Sequence, residues 1–307
     1  MEKERSFHHK HPVMTGVAIL GGLFIFSWIG MTFFFSNFSS SQGSGIFTAG
    51  TGKIGVVELK GVITSPEKAL SDLTSFRKDR SIKAIVLRID SPGGAVGASQ
   101  EIFEEVKRTS KAKPVIASMG SIAASGGYYA ALGASSIVAS PGTLTGSIGV
   151  IIKFANLAEI FKKIGYSSEV VKSGAMKDVG SSARPMTEEE KELIQRIIDS
   201  VHNQFIKAVS ESRDIPLDKV RELADGRIYS GEQALEAGLI DQFGNLNDAV
   251  MLAAKMAGLK EELPPLVYRT EENFSLLKLL VGESRSGVFR DISFLHPVLS
   301  YEWSIAQ

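Results

Sequence analysis

Hydrophobic positions divide the chain into three unlike stretches. From 13 to 35 the sequence VMTGVAILGGLFIFSWIGMTFFF runs for 23 residues without a charge. A helix built from it is apolar on all sides. At ~1.5 Å per residue it reaches about 34 Å, enough to cross a hydrocarbon core of ~30 Å. A transmembrane anchor is predicted there. A cleaved signal peptide would instead carry an apolar region of ~7–15 residues and a small-x-small site, and the chain continues as SNFSSSQGSGIF without one. In the second stretch, apolar runs rich in β-branched residues at 54–63, 84–89, 115–118, 137–139, 148–152 and 169–171 are interspersed with helical patterns at 99–109, 155–164 and 188–213. Short buried strands alternating with helices predict an α/β fold with largely parallel sheets. Within it, Thr187 followed by Glu190 three positions on forms a capping-box pattern ahead of the long helix. Shorter helices are expected at 230–239 and 246–257. Beyond about 270 the pattern weakens, with Phe274, Leu276, Leu277, Leu279 and Leu280 marking an amphipathic helix. Local packing on its own domain is the expectation for that tail.

The organisation predicted is a cytoplasmic tail (1–12), the anchor (13–35), a Ser/Gly-rich tether (36–52), one domain (53–270) and a C-terminal tail (271–307). Charge adds an orientation. Lys3, Arg5 and Lys10 precede the apolar span, and the next basic residue is Lys53. By the positive-inside rule the N-terminus stays in the cytoplasm and the domain lies on the outer, periplasmic side of the cytoplasmic membrane. His8, His9 and His11 read as part of a solvated polar tail rather than a metal tract. Over the 307 residues, 34 basic groups balance 34 acidic ones, which removes any bulk electrostatic case for nucleic acid as a partner. The absence of cysteine excludes disulfides, thiolate metal sites and cysteine nucleophiles.

Three junctions carry candidate chemistry. In AIVLRIDSPGG a buried strand ends and Gly93-Gly94 follow, freeing the backbone to turn its N–H groups into a cleft, although a plain tight turn reads the same way. In PVIASMGSIAASGGYYAA a strand runs into Ser125-Gly126-Gly127, and the paired glycines suit a serine exposed on a cramped turn. In VVKSGAMKDVGS, Lys172 and Lys177 stand beside a predicted strand end. A serine nucleophile needs a base. Histidine is poorly available, since only His202 and His296 follow the apolar span, so either lysine is a candidate.

SPGG, ASMGSIAASGGYYAA, TGSIGV and SGAMKD, in this order and spacing, resemble signal peptide peptidase A in its half-length bacterial form, over roughly residues 53–259. That resemblance implies a Clp-protease/crotonase-like fold and a serine peptidase with a Ser–Lys dyad and no cofactor. It assigns the nucleophile to Ser125 and the base to Lys177. Gly93 and Gly126 fall on the oxyanion-binding positions, and Ser147 on the serine that orients the lysine. It also implies peptide substrates, cleaved signal peptides above all, and a homo-oligomer whose sites are shared between subunits. A lysine serves as base only as the neutral amine, which burial against apolar walls favours. Three rival readings are a membrane serine protease of the same superfamily with stomatin-like partners, a crotonase-type acyl-CoA enzyme, and a catalytically silent scaffold.

Overall fold

A computed structural model describes residues 52–260, 263–269 and 300–302. The predicted anchor and most of both tails lie outside the described residues. No helix among the described residues is long and apolar enough to cross a membrane.

The domain is built on a mixed, mostly parallel sheet. Strands β1 (Lys53–Lys60), β2 (Ile82–Ser91) and β4 (Val115–Ala124) form its centre, with helix α1 (Glu67–Lys78) between the first two. The short β3 (Gly93–Ala95) and helix α2 (Val96–Ser110) stand between β2 and β4. β1 pairs parallel with β2 on one side and with β9 (Leu266–Tyr268) on the other. β2 and β4 also run parallel. β4 then splits its outer edge: Ile116–Ser118 pair with β5 (Ser136–Ala139), and Ile122–Ala124 pair with β6 (Leu144–Gly146). β5 carries β8 (Gln242–Phe243), and β6 carries β7 (Ile228–Ser230), the antiparallel member.

Both faces of this sheet are covered, which is why its strands read as near-continuous apolar runs. Ile85, Leu87 and Ile89 face the larger core, together with Ile102 and Val106 of α2. Ala84 and Val86, the alternate residues of β2, face a second cluster closed by Ala249, Val250, Ala253 and Ala254. Those four belong to the helix Leu246–Met256. The long helix Glu188–Arg213 starts where the sequence places it, with the Thr187 side chain accepting from the Glu190 N–H and the Glu190 carboxylate accepting from the Thr187 N–H.

Two predicted strands are absent. Residues 148–152 hold only an isolated bridge at Ile151, and 169–171 form no strand. Ile148 is buried in the core and Val150 packs against it, but Ile151, Val170 and Val171 are exposed, so neither run is a buried strand. An unpredicted strand forms instead at Ser300–Glu302, antiparallel to β3.

Candidate active site

The carboxyl ends of β2, β4 and β6 come together by register. Ser91 pairs with Ala123, and Ala124 pairs with Gly146. The SPGG turn after β2, Ser125 after β4 and Ser147 after β6 therefore gather at one edge of the sheet. In parallel sheets this edge is where ligand crevices open.

Ser125 adopts φ 54° and ψ −114°, a backbone conformation costly to any residue with a Cβ. Its N–H donates to the Gly146 carbonyl at 2.8 Å, and its carbonyl accepts from the Tyr129 N–H at 2.8 Å. Ser147, the residue after that Gly146, also has positive φ (51°) and donates its N–H to the Arg227 carbonyl at 2.8 Å. Two strained serines on neighbouring strand ends are thus fixed by one hydrogen-bonded ladder. The sequence suggests an exposed nucleophile, but Ser125 is 1% exposed and Ser147 5%.

Gly93 and Gly126 meet. Gly93 has φ 102°, and a Cβ built on it would lie 2.7 Å from the Gly126 amide nitrogen and 2.1 Å from the Tyr301 carbonyl oxygen. A Cβ on Gly126 would lie 2.4 Å from Ser99 Oγ. A side chain at Gly93 would displace backbone, and one at Gly126 would displace the Ser99 hydroxyl. The Gly93 N–H donates to Ser91 Oγ at 3.1 Å, so an oxyanion there would share that donor or take it over.

Lys177 stands apart. It lies on a 3₁₀ turn, Ala175–Asp178, and is exposed. Among the described residues no hydrogen bond joins it to Ser125 or Ser147. Lys172 is otherwise engaged: its Nζ donates to the Ala175 carbonyl at 2.8 Å and pairs with Asp178. Asp178 also pairs with Arg184 at 3.0 Å, and Arg184 reaches Glu190 at 2.5 Å. Hydrogen bonds from Lys172 and then Arg184 hold the Asp178 carboxyl below the usual range. Arg184, with the Thr187 N–H behind it, brings Glu190 down to about 2. This clamp ties the lysine-bearing turn to the start of the long helix. His202, the described histidine left as an alternative base, contacts the Ile148 carbonyl at 3.3 Å. No group of acidic, histidine or cysteine residues among those described has the makings of a metal site.

The sequence reading missed an aromatic pocket beside the two glycines. Phe103, Tyr129 and Phe205 pack ring to ring there, and Tyr301 completes the cluster. The one signal was the tyrosine doublet after ASGG. Its first member, Tyr128, turns inward to donate to the Leu239 carbonyl at 2.9 Å, and its second forms the pocket wall.

The sequence matches known protein families. The profile of Peptidase family S49 matches residues 107–260, and that of Clp protease matches residues 60–143. The fold is Clp-protease-like. A putative protease of Synechocystis is 42% identical over 238 residues, 74% of this chain and 86% of that protein. A putative signal peptide peptidase SppA of Enterococcus faecium is 40% identical over 182 residues, covering 59% of this chain and 53% of its own length. The chloroplastic serine protease SPPA of Arabidopsis thaliana is 37% identical over 250 residues, which span 78% of this chain but only 37% of that longer protein.

Proposed function

The chain belongs to peptidase family S49, as a serine protease of the signal peptide peptidase A type, and from that premise we propose that it is a membrane-anchored Ser–Lys endopeptidase degrading signal peptides and other short hydrophobic peptides once released. The observation that supports this reading most is the meeting of Ser125, Gly126, Gly93 and Ser147 at one sheet edge.

In this mechanism the neutral amine of Lys177 takes the Ser125 hydroxyl proton as Oγ attacks the peptide carbonyl carbon. The Gly126 and Gly93 N–H groups stabilise the tetrahedral oxyanion. The leaving amine departs with the proton from Lys177, and water then hydrolyses the acyl-enzyme. Ser147 positions the amine. Because Ser125 is buried while Lys177 is exposed, the lysine comes from a neighbouring copy in a closed ring, whose contact surface also supplies the burial that favours a neutral amine. The apolar span at 13–35 holds the site at the outer face of the cytoplasmic membrane, where signal peptides leave the bilayer.

Two measurements test this. A fluorophosphonate probe should label the wild type and not Ser125→Ala. Mass spectrometry of a synthetic signal-peptide panel should show internal cleavage dependent on Ser125. Labelling that persists in Ser125→Ala would exclude Ser125 as nucleophile, and intact peptides with a labelled enzyme would exclude the substrate class.

A further inference from the structure

Strands β2 and β4 fall out of step just before the serine. Ile89 pairs with Met119 and Ser91 with Ala123, so Gly120, Ser121 and Ile122 stand where β2 has only Asp90. β4 thus carries a bulge of two extra residues, and at the same place it exchanges β5 for β6 as its outer neighbour. In an unbroken ladder Ser91 would face Ser121. Ser125 would then lie two residues, about 6.5 Å, past the level of Gly93. The bulge is therefore what brings Ser125 beside the glycine turn, and re-aiming a side chain is a use that folds make of bulges.

Side chains hold the bulge from both edges. On the β2 side, Asp90 Oδ1 accepts from the Ile122 N–H at 3.2 Å. A Cβ built on Gly120 would lie 3.0 Å from Asp90 Cγ, so the carboxylate rests directly on the glycine backbone. The Asp90 backbone is fixed in turn, since its carbonyl accepts from the Gly61 N–H at 2.9 Å. On the other edge, the buried Thr143 donates its Oγ1 hydroxyl to the Gly120 carbonyl at 2.8 Å and accepts from the Ser140 N–H at 3.1 Å. An interrupted ladder leaves backbone donors and acceptors to be met by other means, and here one carboxylate and one hydroxyl meet them. Both contacts fall on Gly120–Ile122, in the stretch of β4 that leads into Ser125.

We propose that Asp90 and Thr143 are positioning residues that hold this bulge and so set Ser125 level with the Gly93 and Gly126 amides. The inference rests on the reading of Ser125 as the nucleophile and adds to it two residues that act on the serine through the backbone. What the geometry requires is an acceptor at 90 and a hydroxyl at 143, not a charge. Asp90→Asn and Thr143→Ser therefore keep the brace, while Asp90→Ala and Thr143→Val each remove one side of it.

The test uses the full chain and follows the rate at which a fluorophosphonate labels Ser125, together with kcat and KM on a synthetic signal peptide. Labelling depends on the serine, its base and its oxyanion donors, but not on how a peptide is held. All variants are compared at a temperature where circular dichroism shows them folded. Asp90→Ala and Thr143→Val should each lower the labelling rate and kcat together by about tenfold or more, as small misplacements of reacting groups do, with KM within about twofold of wild type. Asp90→Asn and Thr143→Ser should restore most of both. Because the two residues act from opposite edges, either one decides the matter if a variant of the other does not fold. A role in stability alone would lower the unfolding midpoint and leave labelling of the folded protein at the wild-type rate. That result overturns the proposal, as does an Asp90→Asn variant as slow as Asp90→Ala. Hydrogen exchange across residues 119–127 supplies a readout without catalysis: it should quicken in Asp90→Ala and Thr143→Val and slow again in the conservative variants. Unchanged exchange refutes the brace even where activity falls. A wild type that is never labelled refutes Ser125 as nucleophile, and the exchange result then decides separately whether Asp90 and Thr143 hold the bulge.

Discussion

The Ser125 corner and the Lys177 turn are built by opposite means. Ser125, Ser147, Gly93 and Gly126 stand at the ends of three hydrogen-bonded strands, and the two serines adopt backbone conformations that only a packed surround maintains. The segment from 151 to 187 has only a short helix (Ala158–Lys163) and a 3₁₀ turn, and it exposes Ile160, Ile164, Tyr166, Val170, Val171 and Met176. Ser125 is held in a buried corner of the fold, whereas Lys177 is presented on a surface. In the proposed mechanism these two observations meet, because the surface that exposes apolar side chains also carries the lysine that must reach Ser125.

The sharpest way to break this contrast is genetic. Ser125→Ala and Lys177→Ala should each lower kcat by about a thousandfold or more while circular dichroism stays unchanged. Lys172→Ala should keep most activity, because its amine is already tied to Asp178 and the Ala175 carbonyl. Mixing the two inactive variants should return about 25% of wild-type activity if each site takes one residue from each of two neighbours. Mixed oligomers of confirmed composition that stay inactive would put both residues of the dyad in one chain. A reversal between Lys172 and Lys177 would show the wrong lysine was chosen.

Next in size is the arm. Ile164→Asp together with Tyr166→Asp places charge on the exposed apolar face and should cut activity by about tenfold at low protein concentration, with recovery as concentration rises. Analytical ultracentrifugation would show the parallel loss of assembly; unchanged assembly and activity would make the face an ordinary surface. A smaller effect, up to about tenfold, is expected for Ser147→Ala, which removes a positioning hydroxyl and leaves the dyad itself in place. A loss as complete as that of Ser125→Ala would move Ser147 into the proton transfer.

The smallest effect is local. Glu190 and Asp178 are held below their ordinary values in the folded chain. Their contribution is therefore fully present above the ordinary carboxylate value of 4.5 and is lost as pH falls through about 2. Hydrogen exchange across residues 172–190 should stay slow down to about pH 4, then quicken relative to the sheet by a few-fold toward pH 2. Arg184→Met should show that quickening already at neutral pH. Protection that ignores both changes would mean the clamp does not hold the turn.

Much of the backbone at the Ser125 corner was legible because its constraints are local. Only glycine tolerates the crowding at 93 and 126, and Thr187 with Glu190 caps a helix wherever the pair occurs. The arm misled for a physical reason. Ile148–Ile152 and Glu169–Val171 have strand-like composition, but composition does not say whether an apolar run is covered by its own chain or by another. The aromatic cluster was illegible because its parts come from 103, 129, 205 and 301, positions related only by the finished fold. Lys172 and Lys177 look equivalent in sequence; the ion pair to Asp178 is what tells them apart.

The pairing of β1 with β9 has a consequence for how the protein is made. The first strand of the domain is sealed along one edge by β2, which follows it closely, and along the other by Leu266–Tyr268 from the far end of the domain. Until those last residues emerge, a largely buried strand such as Ile54–Leu59 has an open row of N–H and C=O groups. Folding of so non-local a sheet is slow, and a nascent chain halted short of Leu266 would expose that edge to aggregation. Made from β1 onward, the sheet is complete only once Leu266–Tyr268 is available, so this far strand is the piece that closes it.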